Sequence, residues 1–424
     1  MKLYDHQKRI LSDDPKKCLI AWGTGSGKSR ISLMLAKGKT LAIVPKQQRL
    51  DKNFENTAEK FNINVDLTVV SKEEFRRDHR NLGRYDTIII DECHFLLGML
   101  PETQQVKKQI IPKSSQMFKA LLWYIREHKP ERIYLASATP ASKPMNVFAL
   151  AAVFGKNWDF YKFRERFYFE RKMGYRTIWI PRDDKGSKDA LAKLIKSFGY
   201  TGQLSDWFDV PDQTHKTIYV SLTKQQRDAI IEIEHQEADP MVARAKKRTI
   251  ENGILYGSEV ERVSATVDRI ARKTKYFDSE KLEHIKALAE EFGKVLVFAA
   301  YTGQIEQIKN YLEKESSQKV FTLTGSTRDR GEVIKKAENS ERAIVIAQAS
   351  ISAGYELPSF PCVIFASKNY KVIDYIQALG RVLRANALKK NLYVHLVVKG
   401  GVDEDCHKAI MSGNDFHEKV MEQL

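Results

Sequence analysis

The first and last thirds of the chain alternate short apolar runs with amphipathic stretches. In the first third, the runs predict strands at 17–22, 40–44, 65–70, 87–90 and 133–136, with helices at 29–36 and 50–61. The last third predicts strands at 294–299, 319–324, 343–347, 362–366 and 392–397, with helices at 280–292, 303–313 and 372–383. Buried strands separated by helices are typical of parallel sheets covered on both faces. The predicted fold class is therefore α/β, with two such domains in tandem.

Composition excludes wholesale disorder and a membrane-spanning segment. The chain has 424 residues, of which 29% are charged and 10% aromatic, as in ordinary globular proteins. No apolar run approaches the roughly 18 residues that a transmembrane helix needs. The N-terminus, MKLYDHQKRI, lacks the apolar region of a secretory signal. We therefore expect a cytoplasmic protein with no membrane partner, and its four cysteines without CxxC spacing are expected to be buried thiols.

The net charge of +16 is concentrated in two segments. Residues 155–196 contain twelve basic and six acidic residues, and residues 240–275 contain nine basic and four acidic residues. An excess of positive charge favours a polyanionic partner, although a solvated basic face is the alternative. Lys246, Lys247 and Arg248 form the densest basic run of the second segment, and charge alone does not name the polyanion that they would contact.

A glycine-rich run follows the first predicted strand and opens the first predicted helix. Its residues are Gly23, Thr24, Gly25, Ser26, Gly27, Lys28 and Ser29. Glycines let successive backbone N–H groups face a phosphate at a helix N-terminus, which favours anions. Lys28 can reach the β- and γ-phosphates and the Ser29 hydroxyl can bind Mg²⁺. Trp22 occupies the position of the first glycine in the strict pattern, and a flexible Gly/Ser turn is the alternative reading.

An acidic pair follows the apolar run at 87–90. Asp91 is positioned to hold the Mg²⁺ shell, and Glu92 to orient or deprotonate an attacking water. An Asp-Glu pair alone is also typical of a helix N-terminus. Combined with the upstream glycine-rich run, the pair predicts an ATP site that uses Mg²⁺.

The sequence DECH at 91–94 resembles the DExH box of helicase superfamily II, and further motifs follow in that superfamily's order. Ser137 to Thr139 resembles the motif that couples nucleotide state to the nucleic-acid site, and Gly354 falls in a second coupling motif. Gln377, Arg381 and Arg384 match Q-x-x-G-R-x-x-R. On a helix their spacing of four and three places them on one face, where the arginines can act as fingers on a γ-phosphate.

The same resemblance implies binding roles elsewhere in the chain. Gln7, in Tyr-Asp-His-Gln, resembles the element that reads adenine through its amide. The loops expected to contact nucleic-acid phosphates contain Pro45, Lys46, Ser71, Thr324, Ser326 and Ser350. With nucleic acid as the implied polyanion, the basic run of Lys246, Lys247 and Arg248 is also predicted to contact it. Such loops are commonly rich in Ser, Thr and Gly for structural reasons alone.

Several stretches resemble the Swi/Snf-type DNA translocases, in a compact bacterial or viral form. They are SATPASKPMNV at 137–147, KTIYVSLTKQQ at 216–226 and GVDE at 401–404. The resemblance implies two RecA-like domains with the nucleotide cleft between them. We expect domain 1 at 1–205, with a basic C-terminal extension, and domain 2 at 206–424, with a basic helical insertion near 224–278.

The implied activity is an ATP-dependent DNA helicase or translocase that moves along or remodels duplex, branched or single-stranded DNA. Replication or recombination proteins are the implied protein partners. One alternative is a DExH-type RNA helicase. An alternative of another class is a catalytically silent DNA-binding scaffold.

Overall fold

The structure, a computed structural model, divides into two compact units. Unit 1 comprises Met1–Asp209 with Asn414–Leu424, and unit 2 comprises Val210–Gly413. The residues that the structure describes are 3–106, 109–141, 143–174, 176–209, 212–264, 267–351, 355–382 and 390–422.

Unit 1 is built around a six-stranded parallel sheet with the order β10-β1-β7-β4-β2-β3. Its strands are β1 (Lys17–Trp22), β2 (Lys39–Val44), β3 (Asp66–Ser71), β4 (Thr87–Asp91), β7 (Arg132–Ala136) and β10 (Gly199–Gly202). The central strands read as continuous apolar runs because helices cover both faces of the sheet. Two apolar clusters, one on each face, form the core.

Nine helices and two β-hairpins surround this sheet among the described residues of unit 1. The helices are α1 (Asp5–Asp13), α2 (Lys28–Leu35), α3 (Lys46–Leu50), α4 (Asn53–Phe61), α5 (Lys72–Asp78), α6 (Gln116–His128), α7 (Pro144–Val153), α8 (Phe160–Phe167) and α9 (Lys185–Lys196). The hairpins are β5 (Met99–Val106) with β6 (Gln109–Ser114), and β8 (Tyr168–Met173) with β9 (Arg176–Pro181).

Unit 2 contains a second six-stranded parallel sheet, with the order β11-β18-β17-β14-β16-β15. Its strands are β11 (Asp212–Val220), β14 (Lys294–Ala299), β15 (Lys319–Leu323), β16 (Ala343–Gln348), β17 (Cys362–Phe365) and β18 (Lys390–Val398). The packing helices are α12 (Glu280–Phe292), α13 (Thr302–Glu315), α14 (Arg330–Asn339), α15 (Val372–Leu379) and the part of α16 (Val402–Glu422) that precedes Asn414. The two parallel-sheet domains confirm the predicted tandem RecA-like α/β fold.

The predicted insertion of unit 2 is only partly helical. It contains α10 (Lys224–Gln236) and α11 (Pro240–Glu251), followed by a long antiparallel hairpin of β12 (Ile254–Ser264) and β13 (Val267–Tyr276). A small apolar cluster around Ile230, Ile250 and Phe277 joins the helices to the hairpin base. The hairpin was not predicted, because its mixed basic sequence lacks an apolar run.

Two predicted helices have other bounds in the structure. The helix predicted at 50–61 begins only at Asn53, because Leu50 ends α3 and the N-cap residue Lys52 lies in the left-handed region at φ 51°. The helix predicted at 372–383 ends at Leu379, and Gly380 is its C-cap. Glycine is a poor helix former because it loses the most backbone entropy on folding.

Within the described residues, no helix combines the length and apolar character needed to cross a bilayer.

Candidate functional site

The glycine-rich run forms a tight loop between β1 and α2. Gly25 and Gly27 have φ values of 81° and 85°, which a residue with a Cβ rarely adopts. The Ser26 hydroxyl donates to the carbonyl oxygen of Gly23 at 2.8 Å. Lys28 Nζ donates to the carbonyl oxygens of Trp22 and Gly23, each at 3.0 Å. The loop is therefore closed around the lysine.

The indole of Trp22, at the position of the missing first glycine, is 1% exposed. It meets the His6 ring edge-on at 4.8 Å, and His6 stacks on Trp207 at 3.8 Å between ring centres. The backbone N–H of the next residue, Gly23, donates to Gly202 O in the neighbouring strand β10. Packing of an aromatic side chain thus explains the departure from the usual glycine.

Gln7 is buried against the loop. Its Nε2 donates to Ser26 O at 2.9 Å, and its Oε1 accepts from the backbone N–H of Tyr4 at 3.2 Å. A Cβ on Gly27 would lie 2.6 Å from Gln7 Nε2, so the glycine lets the glutamine approach. The amide thereby fixes the loop, and its predicted reading of adenine stays a prediction.

Asp91 lies at the carboxyl end of β4 and is 4% exposed. Burial, and then the charge of Glu92, raise its pKa above the usual range of an aspartate, while Lys28 and a hydrogen bond from Gln48 act in the opposite direction. Ser29 is the second residue of α2, which follows the carboxyl end of β1 in the same parallel sheet. A carboxylate and a hydroxyl at one sheet edge are donors that Mg²⁺ accepts beside a nucleotide, so these residues fit the predicted ion.

A buried polar network orients Glu92. The Ser137 hydroxyl donates to Glu92 Oε2 at 3.2 Å and accepts from the backbone N–H of Thr139 at 3.0 Å. His94 Nδ1 lies 3.0 Å from Ser137 Oγ and 3.4 Å from Glu92 Oε2. Burial lowers the pKa of His94 to about 3, so the ring is neutral. Because the Ser137 hydroxyl donates its one hydrogen to Glu92, its oxygen accepts from the ring, which assigns the proton to Nδ1. The DECH sequence and the Ser-Ala-Thr sequence therefore form one constellation.

Two further properties of this network are typical of functional sites. Glu92 has φ 49°, a left-handed backbone conformation that costs energy for a residue other than glycine. His94 Nε2 is buried with no hydrogen-bond partner among the described residues. Such an atom is costly in a folded protein unless a further group approaches it.

In unit 2, the predicted arginine motif lies where α15 ends. The guanidinium of Arg381 donates from Nε to Gln377 O and from Nη1 to Tyr355 O, both at 2.8 Å. Gln377 Nε2 is buried without a partner in the described part of the chain. Because the helix stops before Arg381, Gln377 and Arg381 do not share the continuous helix face that we predicted. Arg384 and Gly354 lie outside the described residues.

The residues predicted to touch nucleic acid differ in exposure. Ser71 is 3% exposed and caps α5, accepting from the backbone N–H of Glu74 at 3.1 Å, while Pro45 is buried at the start of α3. Lys46, Ser326 and Ser350 are exposed. Thr324 Oγ1 lies 2.9 Å from Ser326 Oγ. Their contacts with nucleic acid stay predictions.

The basic run on α11 has acidic or carbonyl partners within unit 2. Lys246 pairs with Glu237, and Lys247 Nζ lies 2.5 Å from Glu234 Oε1. Arg248 donates to the carbonyl oxygen of Lys368 and to Cys406 Sγ, the latter at 3.1 Å. These contacts show that the run contributes to the packing of unit 2.

Sequence reasoning missed three features of the site. His94 and Asn146 organise it, since Asn146 Nδ2 donates to Leu97 O at 2.8 Å just after the DECH sequence. His94 lies in DECH at 91–94 and Asn146 lies in SATPASKPMNV at 137–147, so the sequence motifs already contained both residues. Gln48 is positioned only by the turn of α3 and has no sequence signal of its own.

A known family model matches part of unit 2. Residues 280–386 match the family model described as the helicase conserved C-terminal domain, about a quarter of the chain. The matched range runs from α12 through the arginine motif after α15. No curated protein matches the chain. The match supports a member of helicase superfamily I or II with a helicase-type, nucleic-acid-dependent ATPase function.

Proposed function

We propose that this protein is an ATP-driven DNA helicase or translocase. The observation that carries the proposal is the constellation of unit 1, in which the closed loop around Lys28 occurs with the buried pair Asp91 and Glu92. Its occurrence in a chain that also contains a helicase conserved C-terminal domain supports ATP as the ligand. The Swi/Snf-like stretches of the sequence support DNA as the track.

Each residue of unit 1 has a defined task in the proposed reaction. The backbone N–H groups of residues 23–29 bind phosphate oxygens, and Lys28 exchanges its two loop carbonyls for the β- and γ-phosphates. Glu92, fixed by Ser137 and His94, orients the attacking water and accepts its proton. Mg²⁺, held by Ser29 and Asp91, supplies charge neutralisation of the phosphates when bound.

We further propose that Arg381 and Arg384 act on the γ-phosphate, as the resemblance implies. For Arg381, Nε–H and Nη1 already bond to Gln377 O and Tyr355 O, so a contact with the phosphate uses other N–H groups of the guanidinium or replaces one of these bonds. Replacement of either bond would link the nucleotide state to the conformation of unit 2.

The decisive experiment measures ATP turnover with and without nucleic acid for Lys28→Ala. We expect turnover to fall by at least about 10²-fold, because removing one charged transition-state contact typically costs that much. Lys16→Ala is the matched control, since Lys16 is exposed and precedes β1 in the same unit. Circular dichroism and the urea midpoint establish that both variants fold. Nucleic-acid-stimulated turnover in Lys28→Ala at the control level would falsify the assignment.

The type of nucleic acid that stimulates ATP hydrolysis distinguishes a DNA helicase from an RNA helicase. ATPase stimulation by single-stranded, duplex and forked DNA, compared with RNA at equal salt, separates the two helicase classes. Stronger stimulation by RNA selects the DExH-type RNA helicase. Binding without any ATP turnover selects the silent scaffold.

A further inference from the structure

The two hairpins of unit 1, β5–β6 and β8–β9, are both anchored to the same arginine. Arg164 on α8 donates from Nη1 to Pro101 O in β5 at 3.1 Å. The same guanidinium lies 3.9 Å from the centre of the Trp179 ring in β9. A planar guanidinium can donate hydrogen bonds from its edge while its face stacks on an aromatic ring. Arg164 therefore links β5, through Pro101 O, to β9, through Trp179.

Helix α7 strengthens this junction. It packs against both β5 and α8. The Tyr168 hydroxyl at the start of β8 accepts from the backbone N–H of Met145 at 3.2 Å. Asn146 on the same helix donates to Leu97 O, two residues before β5. The hairpin bases are therefore fixed to one helix, which is also bonded to the segment that follows the DECH sequence.

The β8–β9 hairpin has a packed face and a solvent face. Trp179 belongs to the packed face and contacts the core. On the opposite face, Phe169 pairs with Ile180 and Arg171 pairs with Ile178. Phe169 and Ile178 are 43% and 39% exposed, and Arg171 is exposed beside them. An aromatic ring and an arginine on one exposed face can stack on a base and bind a phosphate.

The β5–β6 hairpin is also apolar where it meets solvent. Ile110 and Val106, next to its turn, are 66% and 43% exposed, and Leu100 near its base is 39% exposed. Its sequence between 99 and 114 contains three lysines and one acidic residue. Exposed apolar side chains therefore occur on both of the hairpins that Arg164 joins.

We propose that the solvent faces of these two hairpins bind an unpaired nucleic-acid strand. The proposal rests on the proposed function and adds to it the form of the nucleic acid. The charge of the two hairpins and the chemistry of their exposed side chains identify the ligand. Lys113, Arg171 and Lys172 are exposed on the two hairpins, and these cations favour a polyanion. Exposed aromatic and apolar groups favour bases whose faces are free, which a duplex does not offer.

The test compares two double variants that each remove one exposed aromatic ring and one exposed cation. Phe169→Ala with Arg171→Ala alters the solvent face of β8–β9. Lys216→Ala with Tyr219→Ala is the control, since both side chains are exposed on β11 of unit 2. Fluorescence anisotropy gives the Kd for labelled oligo(dT) and for a blunt duplex of equal length, over a salt series, beside ATP turnover.

We expect the hairpin variant to bind oligo(dT) at least about fivefold more weakly than wild type, since one lost base stack is worth ~1–3 kcal/mol. The slope of log K against log salt should fall by about 0.7 for each lost phosphate contact. The control should bind as wild type does. Ile110→Gln, a polar change at the most exposed position of β5–β6, should also weaken oligo(dT) binding and provides an independent readout if the double variant does not fold.

The possible failures are distinguishable. If wild-type ATP turnover is unaffected by any nucleic acid, the proposed function fails and the hairpin proposal with it. If wild type is stimulated but the hairpin variants bind oligo(dT) like the control, only the hairpin proposal is overturned. The hairpin proposal is also overturned if the hairpin variants lose affinity for the duplex alone. It is overturned, too, if sedimentation shows that the solvent faces of the hairpins mediate self-association while strand binding is unchanged.

Discussion

The two basic segments of this chain have nearly equal charge and different structural roles. Residues 155–196, with a balance of +6, form α8, the β8–β9 hairpin and α9, and present Phe169 and Arg171 to solvent. Residues 240–275, with a balance of +5, begin with α11, where the basic run is bonded to acids, a carbonyl and a thiol of unit 2. A charge count along the sequence therefore does not measure the charge that is available to a ligand.

The basic helix α11 is attached to the rest of unit 2 by a buried polar network at its C-terminal end. Lys281 Nζ, 2% exposed, donates to Asn252 Oδ1, Ala366 O and Asp403 Oδ2 at 2.7–2.8 Å. Burial acts to raise the pKa of Asp403, but the charge and hydrogen bond of Lys281, the charge of Lys368 and a hydrogen bond from the Val398 N–H together lower it. Glu251 accepts from the backbone N–H groups of Val402 and Asp403. These bonds fix the basic helix to α16.

The largest effect should come from breaking this network. Lys281→Met should lower the free energy of unfolding by about 3–5 kcal/mol, because Asp403 is left charged and buried without its cation. Lys286→Met is the control on the same helix, where the lysine lies 3.7 Å from Glu315 near the surface. We expect Lys286→Met to lower the free energy of unfolding by less than about 1 kcal/mol. Urea unfolding measures both, and equal losses would contradict a structural role for the network.

Protonation provides the second test, because the interior next to this network contains His395 and His407. Burial, followed by the charge of Lys368, lowers the pKa of His395 to about 2 and that of His407 to about 4. The unfolded chain therefore takes up protons below pH 6.5, before the folded protein does, and the free energy of unfolding should fall as the pH is lowered from 6.5 to 4. The fall for His407 is on the order of 3 kcal/mol.

Urea midpoints across this pH window check the prediction in wild type and in His407→Gln. The variant lacks the titrating ring, so its midpoint should decline less steeply. Parallel declines in the two proteins would assign the pH dependence to other groups.

The smallest effect concerns the lysines of the second segment. The sequence predicts that Lys246 and Lys247 bind nucleic acid, and each has an acidic partner in unit 2. Lys246→Gln with Lys247→Gln should therefore reduce affinity for DNA less than Arg171→Gln with Lys172→Gln, and change stability by less than about 1 kcal/mol in either case. Anisotropy titrations at two salt concentrations measure the difference. A larger loss of affinity for the α11 variant would reverse the ranking of the two segments.

Much of the fold could be predicted from the sequence because its strands are buried on both faces. The strands at 17–22 and 294–299 and the helix at 280–292 occur with the predicted bounds. The hairpins could not be predicted, since the sequences of β8–β9 and β12–β13 mix charged and apolar residues and lack the long apolar run that identifies a strand of a parallel sheet. The end of α15 depended on Gly380, where a sequence motif suggested a longer helix than the backbone forms.

The sequence by itself determined the residue types and spacing of the phosphate loop, the acidic pair and the arginine motif, because phosphate and metal chemistry restrict which side chains can serve. Tertiary structure alone decided which of these groups touch. It joined His94, Ser137 and Glu92 across separate strands, turned Gln7 onto the loop, and paired Lys246 and Arg248 inside unit 2. Contacts between residues distant in sequence depend on sheet register and helix packing. A linear pattern specifies neither.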